Sequence, residues 1–145
     1  MSPLPVFCIA VIAGGSVTIL PAPTVTLRWI HTVEGSAWEE DYTTVAGLLR
    51  LEEARISGIG AGMEPPANAR RNGDVWRYAP DLPPLSRIDL ANSAYARGYD
   101  LCWDEHCAAL NSIVPRGLPV ALFAQNCVQS AATAITPDVD GGPGR

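Results

Sequence analysis

The residues with the most chemical potential sit close together. From His31 to Tyr42 the chain reads His-Thr-Val-Glu-Gly-Ser-Ala-Trp-Glu-Glu-Asp-Tyr, which sets one imidazole among four carboxylates. Arg28, Arg50 and Arg55 lie just before and after it. Two chemistries suit this set. A carboxylate ligand could be held through Arg28 and Arg55, because a guanidinium offers a planar fork of donors. A metal such as zinc or iron could be held by His31 and two carboxylates, which requires three ligands converging at about 2.0–2.2 Å. The plain alternative is a solvated face of cross-strand Arg–Glu pairs, each worth a few tenths of a kcal/mol.

A second patch follows at Gly58-Ile-Gly-Ala-Gly-Met-Glu-Pro-Pro66. No strand–turn–helix unit surrounds it and no lysine is present, so it lacks the parts of a phosphate cradle. Its bare backbone at Gly60 and Gly62, with Met63 as an apolar contact, suits a ligand or partner; it equally suits a loop that needs positive φ to cross the fold. A third patch is Cys102-Trp-Asp-Glu-His-Cys107. It reads as a disulfide across a hairpin, as a zinc site with His106, or as two thiols. No second close-spaced cysteine pair exists to complete a zinc site, so no metal or cofactor is assigned.

Other chemistries are excluded by residue type. All ten basic residues are arginine, which removes Schiff-base, P-loop and Ser–Lys chemistry. The formal net charge of −5 argues against an electrostatic nucleic-acid binder. No serine lies in a nucleophile elbow, and no cysteine has a strong histidine partner in sequence, so nucleophilic catalysis has no support.

These patches need a rigid frame, and the chain offers strands. At 145 residues and 48% hydrophobic it fits one domain with a real core. Thirteen glycines and thirteen prolines interrupt it too often for long helices. Phe7–Ala13 and Ser16–Leu20 read as strands of a hairpin turned at Gly14-Gly15. Thr24–His31 alternates, with Val25, Leu27 and Trp29 on one side. Trp38–Val45 follows, placing Trp38, Glu40 and Tyr42 on one face and Glu39 and Asp41 on the other. In Leu48–Ile56, strict alternation puts Leu49, Leu51, Glu53 and Arg55 on one side. Further strands are expected at Val75–Ala79, Leu85–Leu90, Tyr99–Trp103, Cys107–Leu110 and Val120–Ala124, with Asp104-Glu105-His106 as a hairpin tip. Short strands at this spacing indicate an all-β, antiparallel β-sandwich or flattened barrel over residues 1–128, and the polar 129–145 segment a flexible tail.

Compartment signals conflict. Pro5–Ala13 is too short to span a bilayer, and Met1–Pro5 lacks the basic residues of a secretory signal, which favours the cytoplasm. Four cysteines in a small chain instead suit an oxidising compartment.

Thr26–Tyr42, Glu53-Ala-Arg55 and Gly60-Ala-Gly-Met-Glu-Pro-Pro66 together resemble the DUF1850 family of small bacterial domains. The family pattern is a hydrophobic strand ending in His-Ser-Val-Glu, then Trp-Glu-Glu-x-Tyr, Glu-x-Arg and Gly-x-Gly-Met-x-Pro-Pro. Thr32 replaces the serine here, and Gly35 stands where lysine is frequent. The resemblance implies an accessory role beside TAXI-type TRAP transporters, which take up organic acids through an extracytoplasmic solute-binding protein. It implies no catalytic activity. The expected partners are transporter subunits or a small organic acid, with neither nucleic acid nor a membrane span. If the first two long strands pair antiparallel, His31 falls opposite Trp38 or Glu39. His31, Glu34, Trp38, Glu39, Glu40, Glu53, Arg55, Gly60, Gly62 and Met63 would then gather at one edge as the ligand site. The alternative function is a small metal- or carboxylate-binding, enzyme-like domain built on His31 and its neighbouring carboxylates.

Overall fold

The structure is a computed structural model that describes residues 6–30, 36–57, 67–93 and 98–127. Two antiparallel sheets face each other, and neither closes into a barrel. The smaller sheet has the order β2-β1-β11-β8, from β1 (Phe7–Ala13), β2 (Ser16–Leu20), β8 (Ile88–Leu90) and β11 (Val120–Asn126). The larger runs β10-β9-β3-β4-β5-β7-β6, from β3 (Thr24–Ile30), β4 (Ala37–Val45), β5 (Leu48–Ser57), β6 (Arg70–Asn72), β7 (Val75–Tyr78), β9 (Asp100–Trp103) and β10 (His106–Ala109). Among the described residues helical structure is confined to a 3-10 turn, Leu110–Ser112, and to Cys127. No helix of these residues is long and apolar enough to cross a membrane.

The alternating strands bury one face each. Val25 and Leu27 of β3, Tyr42 of β4, Leu49 of β5 and Leu101 of β9 meet Ile9, Val11, Leu20 and Leu122 from the smaller sheet. Each such aliphatic side chain contributes about 1.5–3 kcal/mol when fully buried. β1 lies between β2 and β11 and is buried on both of its faces from Cys8 to Val11, which explains its unbroken apolar run.

Turn chemistry follows the sequence. Gly14 has φ +60°, as the expected hairpin requires. The β9–β10 turn is tighter than the sequence suggests. Asp104 and Glu105 alone form it, both with positive φ (48° and 67°), and His106 joins β10. The strand expected at Leu85–Leu90 shortens to Ile88–Leu90, because Leu85 instead exchanges backbone hydrogen bonds with Leu49 at the edge of β5. β6 adds a strand beyond those expected, three exposed polar residues that pair with β7.

A β-bulge corrects the face assignment of β5. Tyr42 pairs with Leu51 and Asp41 with Glu53, so Glu52 is one residue more than β4 can match. Leu49 therefore shares the core face with Tyr42, whereas Glu53 and Arg55 lie on the outer face with Asp41. Strict alternation would have kept all of them together.

Two disulfides tie the frame. Cys102 and Cys107 are direct cross-strand partners on β9 and β10, with Cα atoms 4.0 Å apart. Cys8 on β1 joins Cys127, the residue after β11, with Cα atoms 5.1 Å apart. The Cys127 N–H also donates to the Val6 carbonyl at 3.0 Å.

Candidate functional site

The outer face of the larger sheet carries an ion cluster centred on Arg55. Register places Arg28 opposite Glu39 and Glu39 opposite Arg55. The bulge then brings Glu53 beside Asp41 on the same face. Arg55 Nε donates to Glu39 Oε1 at 2.8 Å. Its Nη1 and Nη2 grip Asp41 bidentately at 2.6 Å each, and Nη1 also reaches Glu53 Oε1 at 2.7 Å. The Arg55 side chain is only 15% exposed. Hydrogen bonding to Asp41, reinforced by Glu39 and Glu53, raises its pKa against the opposing effect of burial. Burial pushes the Asp41 carboxyl upward, but the hydrogen bonds from Arg55 and Thr26 and the charge of Arg55 outweigh it, so the net shift is down. Thr26 Oγ1 donates to Asp41 Oδ1 at 2.7 Å, and Arg77 Nη1 to Glu53 Oε1 at 3.0 Å. A ligand carboxylate could reach Arg55 only by displacing one of these acceptors.

Glu40 points to the opposite face of β4. Its Oε1 accepts the Tyr42 hydroxyl proton at 3.0 Å, and no arginine among the described residues pairs with it. Burial raises its pKa, with the Tyr42 hydrogen bond as a partial offset. Its charge, second to burial, raises the pKa values of Tyr42, Tyr78 and Tyr99. Trp38 stacks on its cross-strand partner Trp29 at 5.9 Å between centroids, and Tyr99 lies 5.3 Å from Trp29 on a tilted plane.

A cleft of about 440 Å³ opens where β3 ends and β9 begins. Arg28, Trp29 and Ile30 form one wall; Tyr99 and Asp100 lead into β9; Asn111 and Arg116 line it from beyond β10. Arg28 is half exposed, and its ionic contact among the described residues is Glu39 at 3.8 Å.

Glu39, Glu53 and Arg55 come together in the ion cluster. Trp38 and Glu40 lie on the other face of the same strand. His31, Glu34, Gly60, Gly62 and Met63 lie outside the described residues. The expected register is corrected: Trp38 pairs with Trp29 and Glu39 with Arg28, since Ile30 opposite Ala37 fixes the pairing. Among the described residues no group of three or more His, Cys, Asp or Glu side chains could hold a metal ion. Sequence reasoning missed the cleft walls at Asn92, Tyr99, Asn111 and Arg116. They come from separate segments with no shared motif, and only the return of β9 beside β3 unites them.

No curated protein and no solved structure matches the chain. One family model does, described as a domain of unknown function (DUF1850), over residues 25–110. The matched stretch begins in β3, carries the whole ion cluster and ends just past the Cys102–Cys107 hairpin. By that match over more than half its length, the chain belongs to the DUF1850 family.

Proposed function

We propose that the chain is a non-enzymatic accessory or binding domain of a TAXI-type TRAP transporter for organic acids. It works on the extracytoplasmic side, where it touches transporter subunits or holds the solute. The observation that carries this reading is the pairing of all four cysteines, Cys8 with Cys127 and Cys102 with Cys107. Disulfides persist in oxidising compartments and are rare in the cytosol. The two bonds therefore favour the compartment in which a solute-binding protein operates. On the polar face Arg55 is already engaged by three carboxylates, so its role in this reading is scaffold and not ligand contact.

The experiment is direct binding of the purified, oxidised chain to the solute-binding protein and solubilised membrane subunits of a TAXI-type transporter from the same source. Saturable binding to either is expected. Binding to neither overturns the reading. In cells of that source, a thiol reagent should leave all four cysteines unmodified until reductant is added; modification without reductant contradicts the compartment.

A further inference from the structure

We propose that the cleft between the end of β3 and the start of β9 binds a small carboxylic acid with a flat apolar body. Its carboxylate meets the Arg28 and Arg116 side, and its body lies against Trp29 and Tyr99. This deepens the ligand-binding half of the functional reading and does not depend on which transporter subunit the domain touches.

The first support is charge. The chain carries a net −5, so an anion is repelled by the molecule as a whole and needs a local concentration of positive charge. Two arginines line this cleft, with Asp100 as the one carboxylate among the described residues that line it.

The second support is how the arginines are used. Arg50, Arg55 and Arg77 each hold a carboxylate at 3.0 Å or less. Among the described residues Arg28 makes one ionic contact, with Glu39 at 3.8 Å, beyond hydrogen-bond reach, and its side chain is 47% exposed. Its planar fork is therefore open to a bidentate acceptor, which a carboxylate matches in geometry.

The third support is preorganisation. Asn92 Nδ2 donates to the carbonyls of Pro115 at 2.9 Å and Leu118 at 3.0 Å, and the Gly117 N–H donates to Asn92 O at 2.7 Å. These bonds pin the turn that carries Arg116. On the opposite wall the Leu110 N–H donates to Tyr99 O at 2.8 Å, holding the 3-10 turn against the entry to β9. Walls fixed before binding reduce the ordering cost of a small ligand. The volume suits a compact organic molecule, and Trp29 and Tyr99 are its aromatic lining among six polar or charged residues.

The test uses the full oxidised chain with phenylacetate, its uncharged isostere phenylacetamide, and succinate, read by calorimetry and tryptophan fluorescence. Phenylacetate should bind saturably and quench tryptophan emission, through Trp29. Phenylacetamide should bind about tenfold more weakly or worse, the loss of a charge-assisted contact. Arg28→Ala should weaken phenylacetate by about tenfold or more with an unchanged Tm of the free protein. Arg116→Ala should weaken it in the same direction. Absence of phenylacetate binding, equal binding of the amide, or full binding by Arg28→Ala overturns the site. Binding of succinate without phenylacetate overturns the apolar body of the ligand. Because no transporter subunit is present, this result and that of the partner-binding experiment are read separately.

Discussion

Arg55 and Arg28 stand on opposite sides of Glu39 on one sheet face, yet they do different work. Arg55 is 15% exposed and spends four N–H···O contacts on three carboxylates. Arg28 is 47% exposed and approaches one carboxylate at 3.8 Å. The cause is the bulge at Glu52, which adds Glu53 to the face beside Arg55, whereas Arg28 sits one strand further out at the mouth of a cleft. Residue type alone therefore does not tell a scaffold cation from a ligand cation. What tells them apart is the share of donors already satisfied.

The most damaging way to break this contrast is Arg55→Ala, which leaves Glu39, Asp41 and Glu53 facing one another without their common partner. A loss of about 2–3 kcal/mol in urea unfolding is expected, between the values for exposed and buried pairs. A loss below about 0.5 kcal/mol would mean that the cluster is no scaffold.

Acid titration sharpens the same point. The folded Asp41 carboxyl lies below its ordinary value near 3.8, so the folded state holds its proton less tightly than the unfolded chain. The stability it contributes is present above that ordinary value and is lost as pH falls through the folded pKa. Asp41→Asn should lower stability at neutral pH by about 1 kcal/mol and flatten the acid limb of stability against pH. An unchanged acid limb would remove Asp41 from the account.

Arg28→Ala should cost less than about 0.5 kcal/mol in the free protein, as expected of a long, exposed pair. A larger loss would place Arg28 in the scaffold with Arg55.

The smallest effect has the opposite sign. Burial raises the folded pKa of Glu40 above its ordinary value near 4.5, so the folded state holds that proton more tightly and stability declines as pH rises through the folded value. Glu40→Gln keeps an acceptor for the Tyr42 hydroxyl and removes the charge. It should raise stability at pH 7 by a few tenths of a kcal/mol and leave stability at pH 3 unchanged, as measured by urea titration.

Much of the frame was legible because its signals are local. Gly14-Gly15 between apolar runs marked the first hairpin, and the alternation of Val25, Leu27 and Trp29 marked the core face of β3. The spacing of Cys102 and Cys107 announced one of the readings that the structure realises. The face of Glu53 and Arg55 was not legible, because a bulge depends on how two strands fit and leaves no mark in one strand's alternation. β6 was missed because Arg70–Asn72 has neither apolar nor β-branched residues to identify it. Of the candidate site, the meeting of Glu39, Glu53 and Arg55 followed from adjacent strands. The cleft did not, since Asn92, Asn111 and Arg116 enter it from segments that only long-range pairing brings together.

That long-range pairing also sets a timetable. Seven residues of β1 find their partners on β11, and Cys8 waits for Cys127, 119 positions later in the chain. At about 5–20 residues per second of synthesis, β1 has no partner but its own hairpin strand for roughly 6–24 s. The smaller sheet cannot assemble on a nascent chain, so its most apolar strand spends that interval exposed. A chain built this way stays threadable until its last strand emerges, and β1 is the segment whose apolar surface waits longest for cover.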